Sequence, residues 1–276
     1  MTMRPRVSGA PAAVTGAGGG FFSGLTGVGG GAIMVPLMTS VLGMRQHAAH
    51  GTSLIVIIFS ASASAVVYAA REGVAWGLVA ALLPASVVGA YAGARLVQFV
   101  PASRLKQAFG VFVLCLGLRL LLWPSVDPLF AVSGPGEALI GGGIGFAGGC
   151  LSGALGVGGG AIFVPALVLL LGAEQHEAQG ASLCVIVAAA MVGAATHRKH
   201  GSVDMAVARW VVPAAVPAGV AGAWVASGLH AGTLQRVFAV VAVGIGMQVV
   251  VTATRAVRRE QRAAAPLPPG TAETAV

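Results

Sequence analysis

The sequence has 276 residues, of which 57% are hydrophobic and only 9% are charged, whereas soluble domains have about 25% charged residues. The mean hydropathy of +0.89 excludes both a soluble globular protein and a disordered chain. A formal net charge of +8 would suggest nucleic acid binding in a soluble protein, but here we expect the basic residues at a lipid surface. The composition predicts an all-α integral membrane protein whose main partner is the lipid bilayer, with no nucleic acid bound.

Apolar runs of membrane-spanning length follow one another along the chain. A helix needs about 20 apolar residues to cross the hydrocarbon core of a bilayer. Six runs fit this length, at residues 49–70, 73–94, 107–123, 178–196, 210–229 and 237–254. Two further runs, at residues 7–44 and 138–173, are too long for one straight crossing. We therefore expect each of these two runs to contain a break.

The same glycine-rich sequence stands in the middle of both long runs. Residues 27–31 and 156–160 both read Gly-Val-Gly-Gly-Gly, and Pro36 and Pro165 follow them. Glycine inside a helix costs about 1 kcal/mol relative to alanine, so a cluster of glycines favours a turn. We predict a broken helix at each cluster, with Pro36 and Pro165 as helix-breaking residues.

The chain is an internal repeat with a fixed offset of 129 residues. Residues 27–33 are identical to residues 156–162, and the register holds through Gln46-His47 and Gln175-His176 to Gly117 and Gly246. Each unit has a broken segment and three crossings, which is an odd number whether the broken segment crosses twice or returns as a re-entrant hairpin. The second unit is therefore predicted to be inverted, with eight to ten membrane segments in all.

The distribution of charge agrees with two inverted repeats. If the N-terminus is cytoplasmic, thirteen of the 16 lysines and arginines fall on the cytoplasmic side, as the positive-inside rule requires. We predict a first membrane repeat at 7–123, an external linker at 124–135 and a second repeat at 136–254. A basic, disordered cytoplasmic tail is expected at 255–276, so that both termini are cytoplasmic.

Inverted repeats with broken helices are the architecture of secondary transporters, which bind substrate where the half-helices end. A helix that starts at a glycine cluster directs free N–H groups and a positive dipole end at the site, which favours an anion. Hydroxyl groups nearby could donate further hydrogen bonds. The predicted substrate-binding residues are Gly29, Gly30, Gly31, Gly158, Gly159, Gly160, Ser23, Thr26, Ser53, Ser152 and Ser182. The other glycines expected to serve close helix packing are Gly16, Gly19, Gly20, Gly89, Gly93, Gly141, Gly142, Gly143 and Gly222.

Two histidines, His47 and His176, share one repeat position and are candidates for proton coupling, although an interfacial side chain is an equally ordinary role. His197 and His200, in a basic segment, are expected to be anchors at the cytoplasmic surface. The sequence has no metal-ligand spacing and no catalytic set of side chains. It therefore predicts neither an enzyme nor a cofactor nor a resident metal.

The doubled motif resembles the sulfite exporter TauE/SafE family of bacterial membrane proteins. It comprises residues 24–31 with Pro36, His47 and Gly51-Thr52-Ser53-Leu54, and residues 153–160 with Pro165, His176 and Gly180-Ala181-Ser182-Leu183. The resemblance implies a multi-pass protein of the bacterial inner membrane that exports sulfite, sulfonates or related anions. Ala181 departs from the first copy, which has Thr52. An anion channel, or a metal-cation permease that uses His47, His50 and His176, remains an alternative, and a homo-oligomer stays open.

Overall fold

The computed structural model describes residues 9–96, 102–123 and 134–264, and these residues fold into ten α-helices. The helices of the first unit are α1 (Gly9–Thr26), α2 (Gly31–Ser40), α3 (Gln46–Arg71), α4 (Trp76–Leu96) and α5 (Ala102–Leu122). Those of the second unit are α6 (Pro135–Leu155), α7 (Gly160–Leu171), α8 (Gln175–Lys199), α9 (Met205–Ser227) and α10 (Ala231–Ala264). An all-α fold is confirmed for the described residues.

The two units have the same helical skeleton. Helices α2, α3, α4 and α5 begin at residues 31, 46, 76 and 102, and α7, α8, α9 and α10 begin 129 residues later, at 160, 175, 205 and 231. The repeat found in the sequence is therefore a repeat of helix boundaries as well.

The surface is that of a membrane protein. Six of the described helices are long and apolar enough to span a bilayer: α3, α4, α6, α8, α9 and α10. Large apolar side chains such as Val66, Trp76 and Leu139 are exposed, which is favourable only where lipid covers them. Arginines lie over aromatic rings near helix ends, with Arg95 4.5 Å from the centre of the Tyr91 ring and Arg119 5.5 Å from that of Trp123. Such pairs are typical of membrane interfaces.

Each glycine cluster turns the chain into a helical hairpin with one long and one short arm. Helix α2 returns along α1. The contacts show this course: a side chain at Gly30 would meet Ser23, Met34 lies against Gly19, and Leu37 lies against Gly18. Helix α7 returns along α6 in the same way, with Phe163 against Gly148. The short arms have 10 and 12 residues, or about 15–18 Å, which is roughly half of the hydrocarbon thickness.

The two units interlock through stripes of glycine. Helix α1 packs along α9, and the equivalent helix α6 packs along α4. A methyl group on any stripe glycine would overlap a main-chain carbonyl oxygen of the partner helix. The stripes are Gly16, Gly20 and Gly24 in α1 and Gly145, Gly149 and Gly153 in α6. Gly93 and Gly222 make the reverse contacts with Cys150 and Phe21. The predicted packing role is confirmed for Gly16, Gly19, Gly20, Gly89, Gly93, Gly141 and Gly222. It is wrong for Gly142 and Gly143, because a methyl group added there would have no neighbour within 4 Å.

The structure corrects two sequence predictions. Pro36 and Pro165 lie inside α2 and α7 and end neither helix; the glycines alone form the break, because packed membrane helices tolerate an internal proline. The tail predicted to be disordered from residue 255 is helical as far as Ala264, since its alanine, arginine, glutamate and glutamine residues favour helix. Residues 265–276, and residues 124–133 of the predicted linker, lie outside the described part.

Candidate functional site

The two glycine interruptions meet each other in the protein interior. A side chain at Gly29 would lie 3.5 Å from Cα of Gly158, and one at Gly158 would lie 3.4 Å from Cα of Gly29. Both glycines have positive φ, +88° and +100°, in the region that L side chains rarely adopt. Glycine is needed here for its backbone conformation as well as for the close approach of the two main chains.

Serine side chains link each interruption to the opposite unit. The Ser53 hydroxyl of α3 donates a hydrogen bond to the carbonyl oxygen of Gly156, and the equivalent Ser182 hydroxyl of α8 donates to that of Gly27, both at 2.8 Å. These bonds satisfy buried carbonyl groups where the helix has ended. Ser53 and Ser182 therefore hold the interruptions in place, which is a contact that repeat position alone did not predict.

A cavity of about 180 Å³ adjoins both interruptions, and this volume has room for a small ion with several waters. Its buried floor includes Gly31 at the start of α2 and Val157 of the second interruption. Its rim includes the exposed residues Gln46, Gln248 and Thr252. The cavity thus leads from the surface to the place where the two interruptions meet. The full lining is Gly31, Ala32, Val35, Pro36, Thr39, Gln46, His50, Lys106, Phe109, Leu155, Val157, Gln248, Val249 and Thr252.

The charge of this cavity is positive. Lys106 of α5 is half-buried in its wall, and its lining residues include no carboxylate. His50 of α3 is only 4% exposed, and its Nε2 has no hydrogen-bond partner within the described residues. A cation and a histidine with an unpaired ring nitrogen thus line one cavity.

The helix starts beside the cavity have unused backbone donors. Gly30 and Gly159 precede α2 and α7 in a left-handed conformation, and neither helix has a side-chain cap. The first N–H groups of a helix have no acceptor within the helix itself. At the start of α2 these groups therefore carry a partial positive charge next to the cavity.

The equivalent region of the second unit is closed and lacks the positive charge. Gln175, Gln179 and Gln235 occupy the positions of Gln46, His50 and Lys106. Gln175 is 3% exposed and Gln179 is fully buried, whereas Gln46 is exposed. The Tyr68 hydroxyl donates a hydrogen bond to Oε1 of Gln179. Both polar atoms of the Gln175 side chain, and Nε2 of Gln179, have no partner among the described residues.

The other predicted hydroxyl residues lie on α1 and α6 beside the interruptions. Ser23 and Ser152, which are equivalent, are fully buried, and their hydroxyl groups have no partner within the described residues. The Thr26 hydroxyl instead donates to the carbonyl oxygen of Phe22 in its own helix, at 2.7 Å. Of the six predicted glycines, Gly31 lines the cavity. Gly29 and Gly158 form the contact between interruptions, and Gly30, Gly159 and Gly160 are buried beside it.

Among the histidines singled out in the sequence, His197 lies in a place that was not expected. His47 is exposed, and Nε2 of the half-buried His176 lies 3.3 Å from the carbonyl oxygen of Ala226; neither lines the cavity. His197 is not a surface anchor, because it is 5% exposed and its Nε2 lies 2.8 Å from the carbonyl oxygen of Gly153. It occupies the position of Tyr68, whose hydroxyl bonds the equivalent Gly24. The described residues contain no group of three or more histidine, cysteine, aspartate or glutamate side chains that could hold a metal ion.

Sequence reasoning did not select Lys106 or Gln248 for the site. Lys106 counted only as one of many cytoplasmic basic residues, and Gln248 lies in the last apolar run. Lys106 stands at the edge of the apolar run that begins at Gln107, where a lysine ordinarily reaches the membrane surface, so the sequence carried no specific signal for it. His50 lies one helix turn after the predicted His47, and its replacement by Gln179 in the second unit was visible in the sequence.

Comparison with known proteins agrees with this architecture. A family model described as Sulfite exporter TauE/SafE matches residues 2–120 and 141–275. This chain belongs to that family. It is 28% identical over 258 residues to the "Probable membrane transporter protein YunE" of Bacillus subtilis, covering 84% of this chain and 93% of the relative. It is also 26% identical over 249 residues to a "Probable membrane transporter protein" of Xylella fastidiosa, covering 85% of this chain and 93% of the relative.

A third relative matches only part of this chain. The "Probable membrane transporter protein MamO" of Paramagnetospirillum magneticum is 32% identical over 136 residues, which is 44% of this chain and 21% of that protein. No solved structure matches the chain. Family membership and these relatives establish a multi-pass membrane transporter, and they indicate no catalytic activity.

Proposed function

We propose that this protein is a secondary transporter that exports a small sulfur-containing oxyanion, such as sulfite or an organosulfonate, across the bacterial inner membrane. The observation that carries the proposal is the cavity where the two interruptions meet, because its lining supplies a lysine and free helix N-terminal donors without a carboxylate. Such a lining attracts anions and repels cations. The name of the matching family, Sulfite exporter TauE/SafE, supports sulfur-containing substrates.

In the proposed transport cycle, the two units exchange their open and closed states. They are inverted repeats in this proposal, with both termini in the cytoplasm and α1 and α2, like α6 and α7, forming hairpins that enter the membrane. Helix starts repeat at a constant offset in the two units, and α1 packs on α9 as α6 packs on α4. This similarity supports a second arrangement in which the two units have exchanged conformations. The cavity of the first unit is open while its counterpart around Gln179 is closed. Rocking of the units would close the first and open the second, which is alternating access.

The histidines at the shared repeat position play a smaller part in this proposal than the sequence suggested. Proton coupling through His47 and His176 remains a prediction, and neither side chain lines the cavity. A metal-cation permease has less support, because the cavity has a lysine in its wall and the described residues contain no cluster of metal ligands. A channel shares the same fold and is separated from a transporter by saturation of the flux.

Purified protein in liposomes tests the proposal directly. Influx of sulfite, methanesulfonate, thiosulfate and sulfate is measured at increasing concentration, with and without a proton gradient, against protein-free liposomes. We expect saturable flux of at least one sulfur-containing anion and no flux of Ni²⁺ or Zn²⁺. Flux of the metal ions without anion flux would overturn the proposal, and unsaturable anion flux would favour a channel.

A further inference from the structure

We propose that Lys106 and His50 form a binding site for a singly charged oxyanion, and that the charge of this site belongs to one side of the transport path only. The inference rests on the proposed function and specifies the site. The residues of this site do not belong to the glycine clusters, since Lys106 comes from α5 and His50 from α3. Both side chains line the cavity together with Gln46, Gln248 and Thr252.

Two observations indicate that a ligand binds in this cavity. His50 is 96% buried from solvent, and Nε2 has no partner within the described residues; an unsatisfied buried polar atom costs about 1–3 kcal/mol. Lys106 lies in the wall of the same cavity, without a carboxylate in the lining. A bound oxyanion would accept hydrogen bonds from the Lys106 ammonium group and from His50 in the tautomer with a proton on Nε2, and it would supply a counter-charge to the lysine.

One cation in the lining favours an anion with one charge. A second negative charge in a pocket with a single lysine would be left without a partner and would lose its hydration. The polar residues at the rim are neutral: Gln46, Gln248, Thr39 and Thr252 can hydrogen-bond the remaining oxygens. Hydrogen sulfite and methanesulfonate have the required charge, and sulfate has one charge too many.

The repeat provides an internal comparison for the site. In the second unit, Gln179 and Gln235 stand at the positions of His50 and Lys106. When the second cavity opens, its glutamines can hydrogen-bond the anion but supply no counter-charge. The anion is thus held more tightly on the side of Lys106 than on the side of Gln235, which favours release on that second side.

The first experiment measures binding of hydrogen sulfite, methanesulfonate and sulfate to the purified full chain by calorimetry. We expect Lys106→Gln, which places in the first unit the residue of the second, to weaken binding of the monoanions by about ten-fold or more, the usual loss for a hydrogen bond to a charged group. Lys106→Arg should retain most of the affinity. Sulfate should bind the wild type more weakly than methanesulfonate does.

The matched control is Arg119→Gln, which removes one positive charge from the far end of the same helix. The Arg119 side chain is half-buried and donates a hydrogen bond to the carbonyl oxygen of Trp123, and it does not line the cavity, so binding should not change. His50→Gln is a second variant for the site, and Gln235→Lys adds the charge to the other unit. We expect Gln235→Lys to slow net flux from the first side, because release becomes harder, while binding stays intact.

The outcomes separate this site from the proposed function. If wild-type protein transports a sulfur-containing anion but Lys106→Gln and His50→Gln both bind it within two-fold of wild type, the site is wrong and the function stands. If the wild type neither binds nor moves any of the anions, the proposed function itself fails. If Lys106→Gln and Arg119→Gln weaken binding equally, only general surface charge is involved, and the site is also wrong.

Discussion

The two units of the protein share one skeleton but differ in the chemistry built on it. Helix starts repeat at 129 residues, glycine stripes pack on equivalent helices, and Ser53 and Ser182 bond equivalent carbonyl groups. The polar positions beside the interruptions do not repeat, because His50 and Lys106 are replaced by Gln179 and Gln235. Packing therefore follows the symmetry of the repeat, whereas charge breaks it.

The largest effect is expected at the glycine stripes. In Gly24→Ala and Gly153→Ala the new methyl group overlaps a carbonyl oxygen of the partner helix, so the helices must separate. Overpacking of this kind costs about 1–3 kcal/mol, and we expect a clearly lower Tm of the purified protein for both variants. Gly142→Ala on α6 is the control, because no atom lies within 4 Å of its position. A large effect in one unit alone would contradict equivalent packing.

The serine bonds across the units should have a matched effect that is no larger than that of the glycine stripes. Ser53→Ala and Ser182→Ala remove the donor to a buried carbonyl oxygen, of Gly156 and Gly27 respectively. An unsatisfied buried acceptor costs about 1–3 kcal/mol. Thermal unfolding should show comparable losses for the two variants, whereas Ser62→Ala, whose hydroxyl bonds only Ile58 of its own helix, should change little. Unequal losses would mean that the two interruptions are held differently.

The smallest effect is expected where the sequence already differs between the units. The Thr52 hydroxyl accepts a hydrogen bond from the backbone N–H of Asp204, at 2.9 Å, but the second unit has Ala181 at this position. Thr52→Ala should therefore cost only about 0.5–1.5 kcal/mol, the usual net worth of one hydrogen bond. The measurement is the same unfolding transition. A loss as large as that of Gly24→Ala would show that the loop before α9 depends on Thr52.

Much of the skeleton follows from the sequence because its signals are local and repeated. The glycine clusters predicted the interruptions, and long apolar runs predicted most helices. The role of Pro36 was predicted wrongly, because an internal proline is tolerated in a membrane helix where neighbouring helices and local adjustments compensate for its missing hydrogen bond. The part of α10 beyond residue 254 was not predicted, because the end of the second repeat was placed where the apolar run ends, without regard to the helix propensity of the residues that follow.

The site was less predictable than the fold. That Gly29 and Gly158 would touch each other depends on how the two units pack, and no pattern within one unit contains that information. The same holds for Lys106, since a lysine at the end of an apolar run has many ordinary roles. The equivalent glutamine in the second unit becomes informative only when the cavity beside Lys106 is known.

The central claim is that the transport path runs where the two interruptions meet. Gly29→Ala places a methyl group 3.1 Å from the Ile186 side chain, so the packing has to adjust at the place where Gly29 meets Gly158. Gly43→Ala is the matched control, since Gly43 also has a positive φ of +64° but no atom lies within 4 Å of the added group. Flux of sulfite into liposomes should fall at least about ten-fold for Gly29→Ala, a barrier increase of roughly 1.4 kcal/mol. Gly43→Ala should retain it, and equal flux in the two variants would contradict the claim.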